Sequence, residues 1–254
     1  MTERDLIDPR ALGRIAIVGS GRLGHALATA LGPLADTSGP FGRGFDGMGF
    51  DVVILAVPDA KIATAAAAIT TGPIVGHCAG SLGVDVLGAH EAFALHPLMT
   101  VTADGASFVG AGAAIAGNTD RSLAVARSLA AALGMHPLEI RDGDRAAYHA
   151  AASIASNFLV TLEDAAETLL VSAGGDRAML VPLVRAAVEN WAALGGPAAL
   201  TGPIARGDHA TVQRQRDAVA ERRPELLALF DALAEHTRAL AARRPVAAPV
   251  RRQP

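Results

Sequence analysis

Apolar positions fall into two regimes along the chain. Up to about residue 140, short β-branched runs alternate with alanine- and leucine-rich helical stretches. Arg14 to Val18 is a brief apolar run that ends in glycines, and Leu23 to Leu31 has helical composition. Asp51 to Val57, DVVILAV, is a continuous run of the kind buried on both faces of a parallel sheet. Pro58-Asp59 stops it, and a helix is expected over Ala60 to Ile69. Further strands are predicted at Pro73–His77, Phe93–Leu95, Ala113–Ala116 and His136–Ile140, with a helix from Ser122 to Leu133 ending at Gly134. This alternation predicts an α/β region built on a doubly wound parallel sheet.

The pattern changes near Arg141-Asp142-Gly143, beyond which no strand is predicted. Asp144 is a candidate N-cap, and Arg145 to Ala173 reads as one helix of roughly 40 Å ending at Gly174-Gly175. Asp176 to Leu194 reads as a second helix, interrupted by Pro182. Asp208 is placed to cap a third through Arg222, and Pro224 to open a fourth reaching about Ala242. The expected organisation is a sheet domain over 1–142, an all-α domain over 143–243 and a disordered proline- and arginine-rich tail over 244–254.

Composition narrows the classes of function. With 254 residues, 51% hydrophobic and 19% charged, the chain can bury a sizeable core and does not resemble a disordered, solvating polypeptide. A net charge of −3 offers no broad electrostatic footprint for nucleic acid. Lys61 is the one lysine, so arginine carries nearly all positive charge. The one cysteine, Cys78, allows no internal disulfide and lies in an apolar stretch, which suits a buried, inert thiol in a reducing compartment. The uncharged stretches Ile62–Val84 and Ala146–Leu162 are broken by polar groups, so no membrane span is expected. MTERDLIDPR has no apolar core of a secretory signal, and a cytoplasmic location is expected.

The first predicted strand runs straight into Gly19-Ser20-Gly21-Arg22-Leu23-Gly24 and then into a helix. In that context G-x-G-x-x-G is a dinucleotide fingerprint and the sheet is of Rossmann type. Gly19 allows the tight turn, Gly21 lets the backbone approach a pyrophosphate, and Gly24 lets helix and strand pack closely. The helix N-terminus then offers free N–H groups to the phosphates. Asp36 stands near the distance at which an acidic side chain would bind the ribose of NAD. Ser38 and Arg43 lie near the expected end of the second strand, and Arg22 lies in the loop itself. Arginine and serine suit a 2′-phosphate, which favours NADP and leaves NAD open. Asp36 to Phe50 holds five glycines and is short for a second strand and helix.

Ligands of such sheets bind beyond the carboxyl ends of the strands. Val57-Pro58, Ser81 and His96 fall there, with Ser81 and His96 candidates for positions beside the nicotinamide. His77 and His96 can equally be core-edge histidines bonded to backbone. His149, Ser153 and Asn157 follow an i, i+4, i+8 spacing and form one polar stripe on an otherwise apolar helix. Burying that stripe without partners is costly, whereas a wet cleft or a polar seam between helices would satisfy it. Carbonyl reduction needs a proton donor and hydrogen bonds to the developing oxyanion. A histidine can be the donor, and Ser153 and Asn157 can hold the substrate oxygen. In Thr201-Gly-Pro-Ile-Ala-Arg206-Gly-Asp208, Arg206 can clamp a carboxylate and Thr201 add a hydroxyl bond, or the segment can be a capped turn with a solvated arginine. No metal site is expected.

IVGSGRLG, DVVILAVPD, HCAGSLGVDVL, LHPLMTV, AGNTD, YHAAASIASNFLVTL and ALTGPIARGD together resemble a family of bacterial Rossmann-like oxidoreductases whose helical C-terminal domain has no assigned function. The resemblance covers roughly Arg14 to Ala242. The arrangement is also similar to pyrroline-5-carboxylate reductase, prephenate dehydrogenase and ketopantoate reductase, with a 6-phosphogluconate dehydrogenase-like C-terminal domain. The resemblance implies an NADP-dependent reductase of a small carbonyl acid, with ketopantoate as the leading substrate. Imine or prephenate-type chemistry and a non-catalytic NADP-binding role are its alternatives. It also implies a homodimer formed through the helical domain. The related ketopantoate reductases place a lysine four residues before an asparagine, but here Ser153 stands four before Asn157. Lys61 is too early in the chain to substitute, which passes the acid's role to His149.

Overall fold

The computed structural model describes residues 8–102 and 105–243. The tail expected over 244–254 lies outside these described residues. The chain separates into two compact units, Met1–Asn157 and Phe158–Pro254. The division falls later than the change of pattern at Arg141, so the first turns after the sheet belong to the sheet unit.

The first unit is built on β1 (Ile15–Val18), β2 (Thr37–Phe41), β3 (Val52–Leu55), β4 (Ile74–His77), β5 (Ala92–Leu98), β6 (Gly112–Gly117) and β7 (His136–Glu139). They form one sheet in the order β2-β1-β3-β4-β5-β6-β7. All neighbours run parallel except β5 and β6, which are antiparallel from Phe93–Gly117 to Leu98–Gly112. The expected parallel sheet is found at every pair but this one. No helix is seen between β5 and β6 among the described residues, and adjacent strands joined without a crossover helix run antiparallel.

Both faces of the sheet are covered, and the two-sided apolar runs show how. Ile15, Ile17, Val52 and Ile54 face one core with α1 (Arg22–Leu31) and α3 (Asp120–Ala132). Ala16, Val18, Val53 and Leu55 face the other with α2 (Ile62–Ala66). Between β2 and β3 no helix forms. Phe41, Phe45 and Phe50 cover the sheet there, with Phe41 and Phe45 stacked at 4.2 Å and Phe50 edge-on to both. The helix expected over Ala60–Ile69 is realised as a 3-10 turn, Asp59–Lys61, followed by the short α2. It stops early because the Thr70 backbone N–H and hydroxyl both donate to the Asp46 carbonyl, at 2.8 and 3.0 Å. α3 begins slightly before Ser122, at a capping box made by Thr119 and Ser122.

The single long helix expected from Arg145 to Ala173 is corrected. It is α4 (Arg145–Ser153), a π-helical turn (Ile154–Phe158) and α5 (Leu159–Val171). Asp144 does not cap α4. It already has helical dihedrals, φ −97 and ψ −8, inside the 3-10 turn Asp142–Asp144, and a capping side chain works from extended backbone. The second unit continues with α6 (Arg177–Leu194), α7 (Gly196–Ala199), α8 (Gly202–Ala205), α9 (His209–Arg222) and α10 (Leu227–Ala242). Asp176 and Asp208 cap α6 and α9 by accepting from the backbone of Met179 and Thr211. Pro182 does not interrupt α6. The carbonyl it leaves without a donor belongs to Ala178, an exposed residue of the first turn that water can reach. Pro224 opens a 3-10 turn, Pro224–Leu226, that leads into α10.

Candidate active site

The glycine loop has the geometry its spacing predicts. Gly19 has φ +116, and a Cβ there would strike the carbonyl of Ala56, so only glycine makes this turn. A Cβ on Gly24 would collide with the Gly19 carbonyl oxygen, which is the close approach of α1 to β1. A Cβ on Gly21 would meet nothing within 4 Å. Gly21 is the N-cap residue of α1, with no side-chain cap and no acidic residue in the first turn. Open space, uncapped N–H groups and the positive end of a helix dipole are what a pyrophosphate requires. Ser20 and Arg22 are exposed beside it and Leu23 is half-buried.

β2 ends next to this loop, where the Gly19 N–H donates to the Phe41 carbonyl at 2.9 Å. Arg43 follows two residues later and is exposed. Ser38 instead lies near the start of β2, paired with Ala16, and away from the strand end expected for it. Asp36 precedes β2 altogether, and its Oδ2 stands 4.0 Å from Arg14 Nε at the opposite end of the strand. Val57 packs against Gly19, and the exposed Pro58 follows it.

Because β1, β3 and β4 run parallel, the glycine loop, Val57-Pro58 and the loop Cys78–Ser81 share one edge of the sheet. His77 is fully buried and structural. Its Nδ1 accepts from the Ala79 N–H at 3.1 Å, so Nε2 carries the proton and donates to the Gly83 carbonyl at 3.0 Å. Burial lowers its pKa against the pull of that bond. Cys78 is a buried free thiol that burial pushes up to about 12, which leaves it unreactive. Ser81 donates to Asp59 at 3.3 Å.

A cavity of about 470 Å³ opens in the same unit, lined in part by His96, Tyr148, His149, Ser153 and Asn157. The polar stripe thus reaches one hollow, although Asn157 stands in the π turn and not on a regular α-helical continuation. The His96 and His149 rings face each other edge-on with centroids 6.2 Å apart. Between them sits Gly80, where a Cβ would lie 2.8 Å from His149 Cδ2 and 2.9 Å from His96 Nε2. Burial pushes His96 down to about 4, and His149, Arg145 and His77 push the same way against Asp59. Arg145 is 2% exposed and pairs with Asp142 at 2.9 Å, while both its terminal nitrogens lack a partner.

Thr201 and Arg206 flank α8 in the second unit, and both are exposed. Tyr148, Gly80 and Arg145 are the residues that sequence reasoning missed. Tyr148 and His149 are adjacent, and an i, i+3, i+4 reading from Arg145 would have found Arg145, Tyr148 and His149 on one helix face. Among the described residues no group of three or more His, Cys, Asp or Glu side chains is placed to hold a metal ion. Nor is any helix among them long and apolar enough to cross a membrane.

The family described as a domain of unknown function (DUF2520) matches residues 111–237, half of the chain. The chain belongs to this family. No curated protein matches this DUF2520 chain in sequence. Solved structures match it in fold. Protein TM1727 from Thermotoga maritima has a TM-score of 0.75 at 22% identity, covering 90% of this chain and 98% of its own. A Bacteroides fragilis protein with the provisional name NADP oxidoreductase has a TM-score of 0.72 at 19% identity, covering 89% and 98%. A reductive aminase from Aspergillus terreus, in complex with NADPH and ethyl-5-oxohexanoate, has a TM-score of 0.65 at 15% identity, covering 91% and 97%. At these identities the likeness is one of fold: a Rossmann-type sheet followed by helices.

Proposed function

We propose that this DUF2520 chain is an NADP-dependent oxidoreductase that reduces a small 2-oxo acid, with ketopantoate the first substrate to test. The observation that carries the reading is the cavity lined by His96, His149, Ser153 and Asn157 in the same unit as a glycine loop shaped for a pyrophosphate. The loop, the open face of Gly21 and the uncapped start of α1 fit a dinucleotide. Arg43 beyond β2 and Arg22 in the loop suit the 2′-phosphate of NADP, and Asp36 stands at the wrong end of β2 to select NAD. The fold relatives include an aminase bound to NADPH, which supports the same choice.

NADPH supplies the hydride when bound. The chain's part is to hold the carbonyl and give it a proton. His149 delivers the proton to the oxygen, and Ser153 and Asn157 orient the carbonyl group. This arrangement does without the lysine that related reductases use. A second reading, reduction of a cyclic imine, is favoured by the fold likeness to a Plasmodium falciparum pyrroline carboxylate reductase with NADP bound, TM-score 0.58 at 13% identity.

The helical unit supports association into a homodimer. Neither α5 nor α6 contains a buried residue, while Val160, Met179, Leu183, Trp191 and Leu194 are exposed. Large apolar side chains exposed along two helices mark an interaction surface. Sedimentation of the wild type and of Leu183→Glu tests this: a dimer that the variant dissociates supports it, and a wild-type monomer rejects it.

The functional test is turnover with NADPH and NADH against a panel of 2-oxo acids and cyclic imines, followed by the loss of reduced-nicotinamide absorbance. Turnover of an oxo acid with a preference for NADPH supports the first reading, and turnover of imines alone supports the second. Tight NADPH binding without any turnover would make the chain a nucleotide-binding protein.

A further inference from the structure

Tyr148 and His96 are joined at 2.9 Å between the phenol oxygen and Nδ1. Their rings meet edge-on with centroids 5.5 Å apart. A hydroxyl has one proton to give. Two acceptors compete for it, His96 Nδ1 at 2.9 Å and the His96 carbonyl at 3.5 Å. The first distance is that of an ordinary hydrogen bond and the second is at its limit. Donation to Nδ1 is the shorter of the two bonds, and in that arrangement a neutral His96 ring carries its own proton on Nε2. That nitrogen lies beside Gly80, and His96 lines the cavity.

Burial first, and then the charges around the ring, keep it neutral. His149 faces it across Gly80, the end of β4 brings His77, and α4 brings Arg145 and Tyr148, with the acidic Asp59 acting against them. Arg145 is a permanent cation in this layer, buried and incompletely paired. A second positive charge on His96 would be repelled by it.

We propose that Tyr148 is a positioning residue that locks His96 as an Nε2–H donor to the substrate's carbonyl oxygen, separate from the proton donor His149. The division of labour rests on the reductase reading. Hydride goes to the carbonyl carbon, the carbon–oxygen π pair moves to oxygen, and that oxygen takes its proton from His149. His96 keeps its proton throughout and holds the developing oxyanion by a hydrogen bond.

The test is nitrogen-15 NMR of the imidazoles in the whole protein without substrate, for the wild type and Tyr148→Phe. The expected wild-type spectrum shows His96 as the Nε2–H tautomer and neutral above about pH 5. In Tyr148→Phe the ring becomes a mixture of tautomers. A wild-type Nδ1–H tautomer, or a variant tautomer unchanged from wild type, overturns the proposal. If Tyr148→Phe does not fold, the wild-type tautomer decides alone. On the substrate that is turned over, Tyr148→Phe is expected to lose roughly tenfold in kcat with NADPH affinity unchanged, and an unchanged kcat also overturns it. The spectrum needs no turnover, so a locked tautomer in a protein that reduces nothing would sink the reductase reading, and with it the catalytic part of this proposal, while leaving the pair itself intact.

Discussion

A Cβ on Gly24 would collide with the carbonyl oxygen of Gly19, whereas one on Gly21, three residues earlier, would touch nothing. The two glycines therefore serve different ends, and their alanine variants should separate. Gly24→Ala is expected to lose about 1–3 kcal/mol of stability through overpacking. Gly21→Ala should melt like the wild type but bind NADPH at least about tenfold more weakly, because its methyl occupies the space of the pyrophosphate. Thermal melts and calorimetric titration with NADPH check both. Equal effects in both assays would remove the distinction.

Arg43 stands just beyond β2, whose last residue bonds the glycine loop. Arg43→Ala should weaken NADPH binding by about tenfold or more, the worth of a charge-assisted contact, and leave NADH nearly unchanged. The ratio of kcat/KM for the two coenzymes is the measurement. A parallel loss for both would show that Arg43 does not read the 2′-phosphate.

Gly80 separates the two cavity histidines with no room for a side chain. In Gly80→Ala one imidazole or the other has to move by several tenths of an ångström. Displacement on this scale is expected to lower kcat by about tenfold or more with coenzyme affinity intact. Full activity in that variant would mean that the spacing of His96 and His149 is not critical.

Folding stability should depend on His96 below neutral pH. Its folded-state pKa, pushed down to about 4 by burial, lies below the ordinary histidine value near 6.5. Between these values the unfolded chain binds more protons, so stability is full above about pH 6.5 and is lost as pH falls toward 4. The loss from this group is on the order of 3 kcal/mol. His77, also lowered by burial, adds to it in the same direction. Urea midpoints at several pH values, compared with His96→Asn, check the sign: the variant should show a shallower decline.

Much of this architecture was legible from residue patterns. Two-sided apolar runs such as Val52–Leu55 name buried strands, and the glycine spacing names the nucleotide loop, because both patterns follow from local sterics. The antiparallel β5–β6 pair was not legible, since Ala113–Ala116 reads as a strand in either direction. The three phenylalanines that replace a helix after β2 are a tertiary arrangement with no period to betray it. The polar stripe was legible as His149, Ser153 and Asn157, but the π turn that carries Asn157 was not, because its residues look helical in any register. Tyr148 escaped notice because its importance lies in reaching His96, 52 residues away in the chain.

The most direct test of the central claim is steady-state reduction of a 2-oxo acid by NADPH, comparing the wild type with His149→Asn. The wild type is expected to turn over, and the kcat of the variant to fall by about a hundredfold or more, the worth of a general acid, with unchanged NADPH affinity. A variant with wild-type kcat would contradict it.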